Sequence, residues 1–151
     1  MMRLLQAFVI EHPRIASAIG FGASTALLTH FAWYPSARMN GPAPALTLAA
    51  GLAHAVAGAI TGARLIDAAR TRTSGQALLV GAATSLLALV MFAPVMAAWV
   101  SAGGVSRPGA LGFVALALYT AFFLFLGAGW ALMLVSAAVG AGLQKIAAHS
   151  A

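Results

Sequence analysis

Charged side chains divide this chain into long uncharged stretches, and that pattern predicts its elements. The charges leave four runs, residues 15–37, 39–63, 73–106 and 108–144, of 23, 25, 34 and 37 residues. A membrane crossing takes about 20 mainly apolar residues, so every run is long enough for one. Turn-rich connectors close the runs: Ser36 to Pro44, Asp67 to Gly75, and Ala102 to Pro108. The reading is an all-α polytopic membrane protein, a four-transmembrane-helix bundle with helices over about 15–35, 45–66, 76–101 and 109–135. Residues 1–14 form an N-terminal segment, 15–145 the transmembrane domain and 146–151 a tail. Short connectors make consecutive helices antiparallel neighbours.

Two of these elements carry internal problems. The fourth runs without a polar interruption to Gln144-Lys145, about 55 Å of helix against a core of about 30 Å. It must tilt and project, or bend at Gly127-Ala128-Gly129 or at Gly140-Ala141-Gly142. The third contains Pro94, which removes a hydrogen bond to the Val90 carbonyl and predicts a kink. A weak repeat also links the first and third segments. At an offset of 59, Gly22 to Pro35 and Gly81 to Pro94 share six of 14 residues. Segments two and four do not follow that offset, so duplication is not the favoured reading.

Composition removes whole classes of protein. Charged residues are 7% of the chain, against about 25% in a soluble domain. Hydrophobic residues are 62%. The absence of cysteine excludes disulfides, thiolate metal sites and a cysteine nucleophile. The richness in alanine and glycine points to a bacterial gene. The net charge of +6 is spread along the chain rather than gathered into a patch, so it predicts no nucleic-acid partner. It reads as topology instead. Arg3, Arg14, Arg64, Arg70, Arg72 and Lys145 fall on one side, Arg38 and Arg107 on the other. The positive-inside rule then predicts a multi-pass protein of the bacterial cytoplasmic (inner) membrane with both termini in the cytoplasm. Trp33, Tyr34 and Trp99 would anchor the outer interface, and Trp130 and Arg64 the inner one. The apolar start, Leu4 to Ile10, is too short for a cleaved signal, and Leu4, Leu5, Phe8 and Val9 recur at helical spacing. Interfacial helix and frayed first span are equally supported.

Packing faces follow from small residues. Gly51, Ala55, Gly58 and Gly62 share a stripe on segment two, and Gly20 and Ser24 a similar spacing on segment one. Small residues let membrane helices approach closely, so these two segments are expected to pair. Phe122, Phe123, Phe125 and Leu126 project in several directions from segment four. They suit lipid or another subunit.

Candidate chemistry is sparse. His54 lies near the middle of segment two and His30 about one turn inside the outer end of segment one. Ionisable groups in a membrane are costly and so are site candidates. A haem or chlorin-type pigment ligated by His54, with His30 second, is one reading. The plainer one makes each histidine neutral and bonded to a neighbour among Thr25, Thr29, Ser85 and Tyr119. Arg64 and Asp67 are three apart and suit anchoring at the interface. The four uncharged runs contain no carboxylate, which weighs against proton-coupled transport and against a catalytic triad. The favoured function is a non-catalytic accessory or structural subunit of a larger membrane complex, in contact with other subunits and with lipid. The alternatives are the haem- or pigment-binding protein and a small, homo-oligomeric transporter or channel.

Overall fold

A computed structural model describes residues 2–37, 43–70, 74–103 and 108–148. These residues are helical almost throughout and contain no strand. The elements are α1 (Met2–Glu11), α2 (Pro13–Ala37), α3 (Ala43–Arg70), α4 (Ser74–Gly103), α5 (Ala110–Leu124), a π-helical turn (Phe125–Gly129) and α6 (Trp130–Ala148). Four segments are long and apolar enough to cross a membrane: Ala45–Arg64, Gly75–Ala102, Ala110–Gly127 and Trp130–Ala148. The last two are successive parts of one helical rod. The fourth rod of the bundle is α2, 25 residues long.

The rod from Ala110 to Ala148 does not break at its glycines. Phe125 (φ −62°, ψ −48°) and Trp130 (φ −63°, ψ −40°) keep right-handed helical geometry on either side of Gly127. The rod departs from α-helical bonding at the π turn Phe125–Gly129, where hydrogen bonds reach one residue further than in an α-helix. At its far end α6 packs on the N-terminal elements. Val9 of α1, Ala16 of α2 and Ala147 of α6 form one buried cluster with Leu143 and Ile146. The first and last described helices therefore meet at the same end of the bundle. Pro94 lies inside α4, faces outward and does not interrupt the helix.

α1 is a separate helix. His12 breaks it from α2, and Pro13 occupies the first turn of α2, where a missing N–H costs nothing. Val9 is its buried anchor, while Leu4 is 77% exposed. Leu5 and Phe8 are also exposed, so an apolar face points away from the bundle.

Close backbone approach organises the rest. The most extensive helix contact is α2 with α3. A methyl group placed on Gly58 would stand 2.8 Å from the Ser17 carbonyl oxygen, and one on Gly62 would stand 2.8 Å from that of Pro13. Gly51 faces Ala26 at 3.1 Å, and Gly22 faces Ala55 at 2.9 Å. Gly22, rather than Gly20, is the glycine of α2 that meets α3. A helix turns about 100° per residue, so two residues rotate Gly20 onto another neighbour. A methyl on Gly20 would lie 3.4 Å from Val139 and 3.6 Å from Leu143, both of α6. Ser24 is half-buried and donates to the Phe21 carbonyl of its own helix at 3.1 Å.

The same device joins α4 to α6. A methyl on Gly81 would collide with the Ser136 carbonyl oxygen and stand 2.8 Å from the Ala137 Cα. One on Gly140 would lie 2.7 Å from the Ala77 carbonyl oxygen. Gly140, an expected bend, is thus a packing position. Gly22 and Gly81, equivalent in the weak repeat, both sit at a close crossing, but their partners do not follow the offset.

Gly58→Ala and Gly81→Ala are each expected to destabilise the folded protein by about 1–3 kcal/mol through overpacking. Gly75→Ala, with nothing within 4 Å of the added methyl, should leave stability unchanged. Thermal unfolding in detergent checks this, and equal midpoints for all three would refute the close crossings.

Candidate functional site

Two stripes run along α3. The glycine stripe faces α2. The other, Leu46, Ala50, His54, Ala57 and Thr61, is buried at spacings of three and four residues and faces α4. α4 answers with Thr84, Ser85, Ala88 and Phe92, also buried. The polar groups of the bundle meet along this seam.

His54 is 3% exposed and Ser85 is 2% exposed. Nδ1 of His54 lies 3.1 Å from the Ala50 carbonyl oxygen, one turn back on α3. A carbonyl only accepts, so Nδ1 carries a proton, and in the neutral ring Nε2 is the acceptor. Nε2 then accepts from the Ser85 hydroxyl at 3.4 Å, a long bond across the two helices. Two turns away Thr61 and Thr84 bring their Oγ1 atoms to 2.7 Å. Thr61 also reaches the Ala57 carbonyl at 3.0 Å, and Thr84 the Val80 carbonyl at 2.7 Å. With the Gly58 carbonyl also 3.5 Å from Thr61, two hydroxyl protons serve four contacts, so one donates across the interface while the other bonds its own helix. Among the described residues no buried side-chain nitrogen or oxygen lacks a partner.

A small cavity of about 50 Å³ adjoins His54. Its walls are Thr29, Leu46, Thr47, Ala50, Leu89, Phe92, Leu124 and Leu132. Thr29 donates to the Thr25 carbonyl of its own helix. Leu124 and Leu132 flank the π turn, so the cavity lies where the last rod begins to diverge from the bundle. Small-molecule sites are about 300–1,000 Å³, while a water takes about 30 Å³. The space suits a water or two and does not fit a tetrapyrrole. Both ring nitrogens of His54 are already engaged. His30 is exposed and does not line the cavity, so the two histidines do not form a common site.

Nor do Ser85 and His54 form a nucleophilic pair. The imidazole is held by a backbone carbonyl instead of a carboxylate. Ser85 does not line the cavity, and it sits mid-helix, where backbone N–H groups are committed to the helix. Its bond to His54 is a helix–helix contact. Among the described residues no three histidine, cysteine or acidic side chains gather as metal ligands would.

The remaining candidates lie outside the seam. Trp99 and Trp130 are exposed, at 48% and 58%. Arg64 is exposed at the end of the described side chains of α3. The side chains of Trp33, Tyr34 and Asp67 lie outside the described residues. On the outward side of α2 and α3 a shallow furrow of about 380 Å³ is lined by Ala18, Gly22, Ala23, Ala26, Gly51 and Ala55 and edged by Ile19, Leu48 and Leu52. α5 differs from every other element. None of its residues is buried, and its main contact is with α4.

Several of these residues carry no distinctive signal in the sequence. Thr61 and Thr84 look like any membrane threonine, and only their juxtaposition gives them a role. Ser85 was one of several hydroxyls within reach of a histidine. Gly22 and Gly81 were visible as shared positions of the weak repeat. No protein family matches the chain, and neither a curated protein nor a solved structure matches it.

Removing both partners of the seam should show their coupling. A double-mutant cycle of His54→Ala with Ser85→Ala, and another of Thr61→Val with Thr84→Val, are each expected to give about 0.6 kcal/mol, up to about 1.7. Coupling of zero in both would refute the cross-helix bonds. Titration with haemin is expected to give no visible absorbance change that depends on His54. A shift lost in His54→Ala would show that the cavity opens to a macrocycle.

Proposed function

We propose that this chain is a non-catalytic accessory subunit of a larger integral membrane complex, in the inner membrane of a bacterium with both termini in the cytoplasm. The furrow on the outward side of α2 and α3 carries this reading. Its floor is the closed α2–α3 crossing at Gly22, Ala26, Gly51 and Ala55, and its exposed edges, Ile19, Ala23, Leu48 and Leu52, offer a second helix a shallow seat, where close contact is what drives association in lipid. The interior supports the same reading. Its hydroxyls and its histidine are occupied in tying α3 to α4, so the groups that elsewhere perform chemistry here hold helices in register.

Orientation rests on charge. Six of the eight basic residues belong to the two ends of the chain and to the last turns of α3 with its connector to α4, and the meeting of α1 and α6 at one end of the bundle is consistent with a single side for both termini. The exposed Leu4, Leu5 and Phe8 of α1 would then enter the inner leaflet at headgroup level.

Gentle solubilisation and native mass spectrometry test the proposal. The expected species is well above 15.2 kDa and contains other polypeptides. A monomer, or an assembly of this chain alone, would overturn it.

A further inference from the structure

We propose that this chain pairs with a second copy of itself through the outward side of α4 and α6, where the Trp130 indole of each copy donates to the Val90 carbonyl of the other. This goes beyond the accessory-subunit reading, which rests on the furrow of α2 and α3. Phe92 of α4 and Leu132 of α6 both line the cavity beside His54. Val90 and Trp130 each lie two residues before them, about 200° around a helix. Both therefore project from the opposite side of the α4–α6 pair, and they are 64% and 58% exposed.

Depth sets Trp130 apart from a residue that simply meets lipid. A methyl on Gly81 would meet Ser136 and Ala137, and one on Gly140 would meet Ala77, so α4 and α6 run antiparallel in that register. Carried along the pair, the register sets Trp130 level with Leu87 and Ala88. The midpoint of the apolar segment Gly75–Ala102 falls between Ala88 and Leu89. Trp130 is thus at mid-membrane, not at the inner interface expected from the sequence. Its N–H makes no hydrogen bond to any described residue. An indole N–H only donates, and an unmet donor in hydrocarbon is costly. The complementary group is on the same surface. Pro94 has no N–H to offer the Val90 carbonyl, which leaves an acceptor free at nearly the same depth.

A second copy pairs the two groups. Copies inserted with the same topology are related by a twofold axis along the membrane normal, which preserves depth. An axis beside this surface sets α4 of one copy opposite α6 of the other, antiparallel, and makes both bonds at once. The indole leans towards the start of α6, the direction in which the carbonyls of α4 point, so donor and acceptor converge. The flanking residues fit in the same register. Leu79 falls within a residue of the level of Ala138, and Ala83 within a residue of Leu134, all four exposed. A large side chain meets a small one twice, which lets the facing helices interdigitate.

Cysteine cross-linking tests this, because the chain has no cysteine of its own. Ala83→Cys in one tagged copy and Leu134→Cys in another, co-expressed and oxidised in native membranes, are expected to give a linked species of twice 15.2 kDa. Leu52→Cys, exposed on α3, should not link to Leu134→Cys. Trp130→Phe should weaken self-association in proteoliposomes by about ten-fold, since two bonds are lost per dimer, read by energy transfer between labelled copies against dilution in lipid. Pro94→Ala gives the Val90 carbonyl a donor in its own helix, so Trp130→Phe should then weaken association less than it does in the parent chain. No link between residues 83 and 134, equal linking at residue 52, or unchanged association of Trp130→Phe overturns the proposal. So does an equal effect of Trp130→Phe with and without Pro94→Ala. Native mass spectrometry separates this inference from the accessory reading. Two copies with other polypeptides satisfy both, one copy with others leaves only the accessory reading, and a dimer alone leaves only this one.

Discussion

Apolar helices already surrounded by hydrocarbon gain little by exchanging lipid for one another. What they gain is dispersion energy, which falls off steeply with distance and is largest where backbones touch. The fold depends on that constraint at two crossings. α2 meets α3 through Gly22, Gly51, Gly58 and Gly62, and α4 meets α6 through Gly81 and Gly140. At each of these positions except Gly51, an added methyl would stand within 3 Å of a neighbouring atom. Backbone approach of this kind fixes the rotation of each helix about its axis, and that rotation decides which residues reach the seam.

The polar seam is a consequence of the glycine crossings. Once Gly58 and Gly62 are turned to α2, His54 and Thr61 are turned to α4. Each then reaches a hydroxyl of the opposite helix, and the two hydroxyls, Ser85 and Thr84, are neighbours in α4. In a medium without water these bonds discriminate among registers. A slip by one residue would leave an imidazole and several hydroxyls unmet, at a cost of kcal/mol each. Close packing gives attraction, and the polar pairs select one alignment from the many that small residues permit.

The bundle is not uniform along the membrane normal. Towards the end where α1 and α6 meet, α6 is packed on α4 and α2, and Val9, Ala16 and Ala147 close the structure. Beyond the π turn at Phe125–Gly129 the same rod has no buried residue. Between the two regimes lies the cavity beside His54. The π turn separates the close crossing at Gly140 from the exposed α5, and its extra residue changes the helix's phase while the rod continues.

The exclusion of charge from hydrocarbon by itself determined the all-α class and the presence of long membrane-crossing helices. Ten charged residues in 151 leave few other ways to arrange the chain. Glycine and alanine also showed that α3 had a packing face, because small residues at spacings of three and four recur there without other purpose. Tertiary structure alone decided the rest. These helices are apolar on every side, so their sequence carries no direction in the way an amphipathic helix does. Spacing offered Gly20 to α3, and only the crossing gave that place to Gly22 and turned Gly20 to α6. His54 had several hydroxyls to choose from and took Ser85, leaving no room for a macrocycle. The uninterrupted fourth segment was too long for the bilayer, but whether it would bend, break or continue depended on how α6 seated against α4. Where a helix is hydrophobic all round, its neighbours rather than its pattern decide which way it faces.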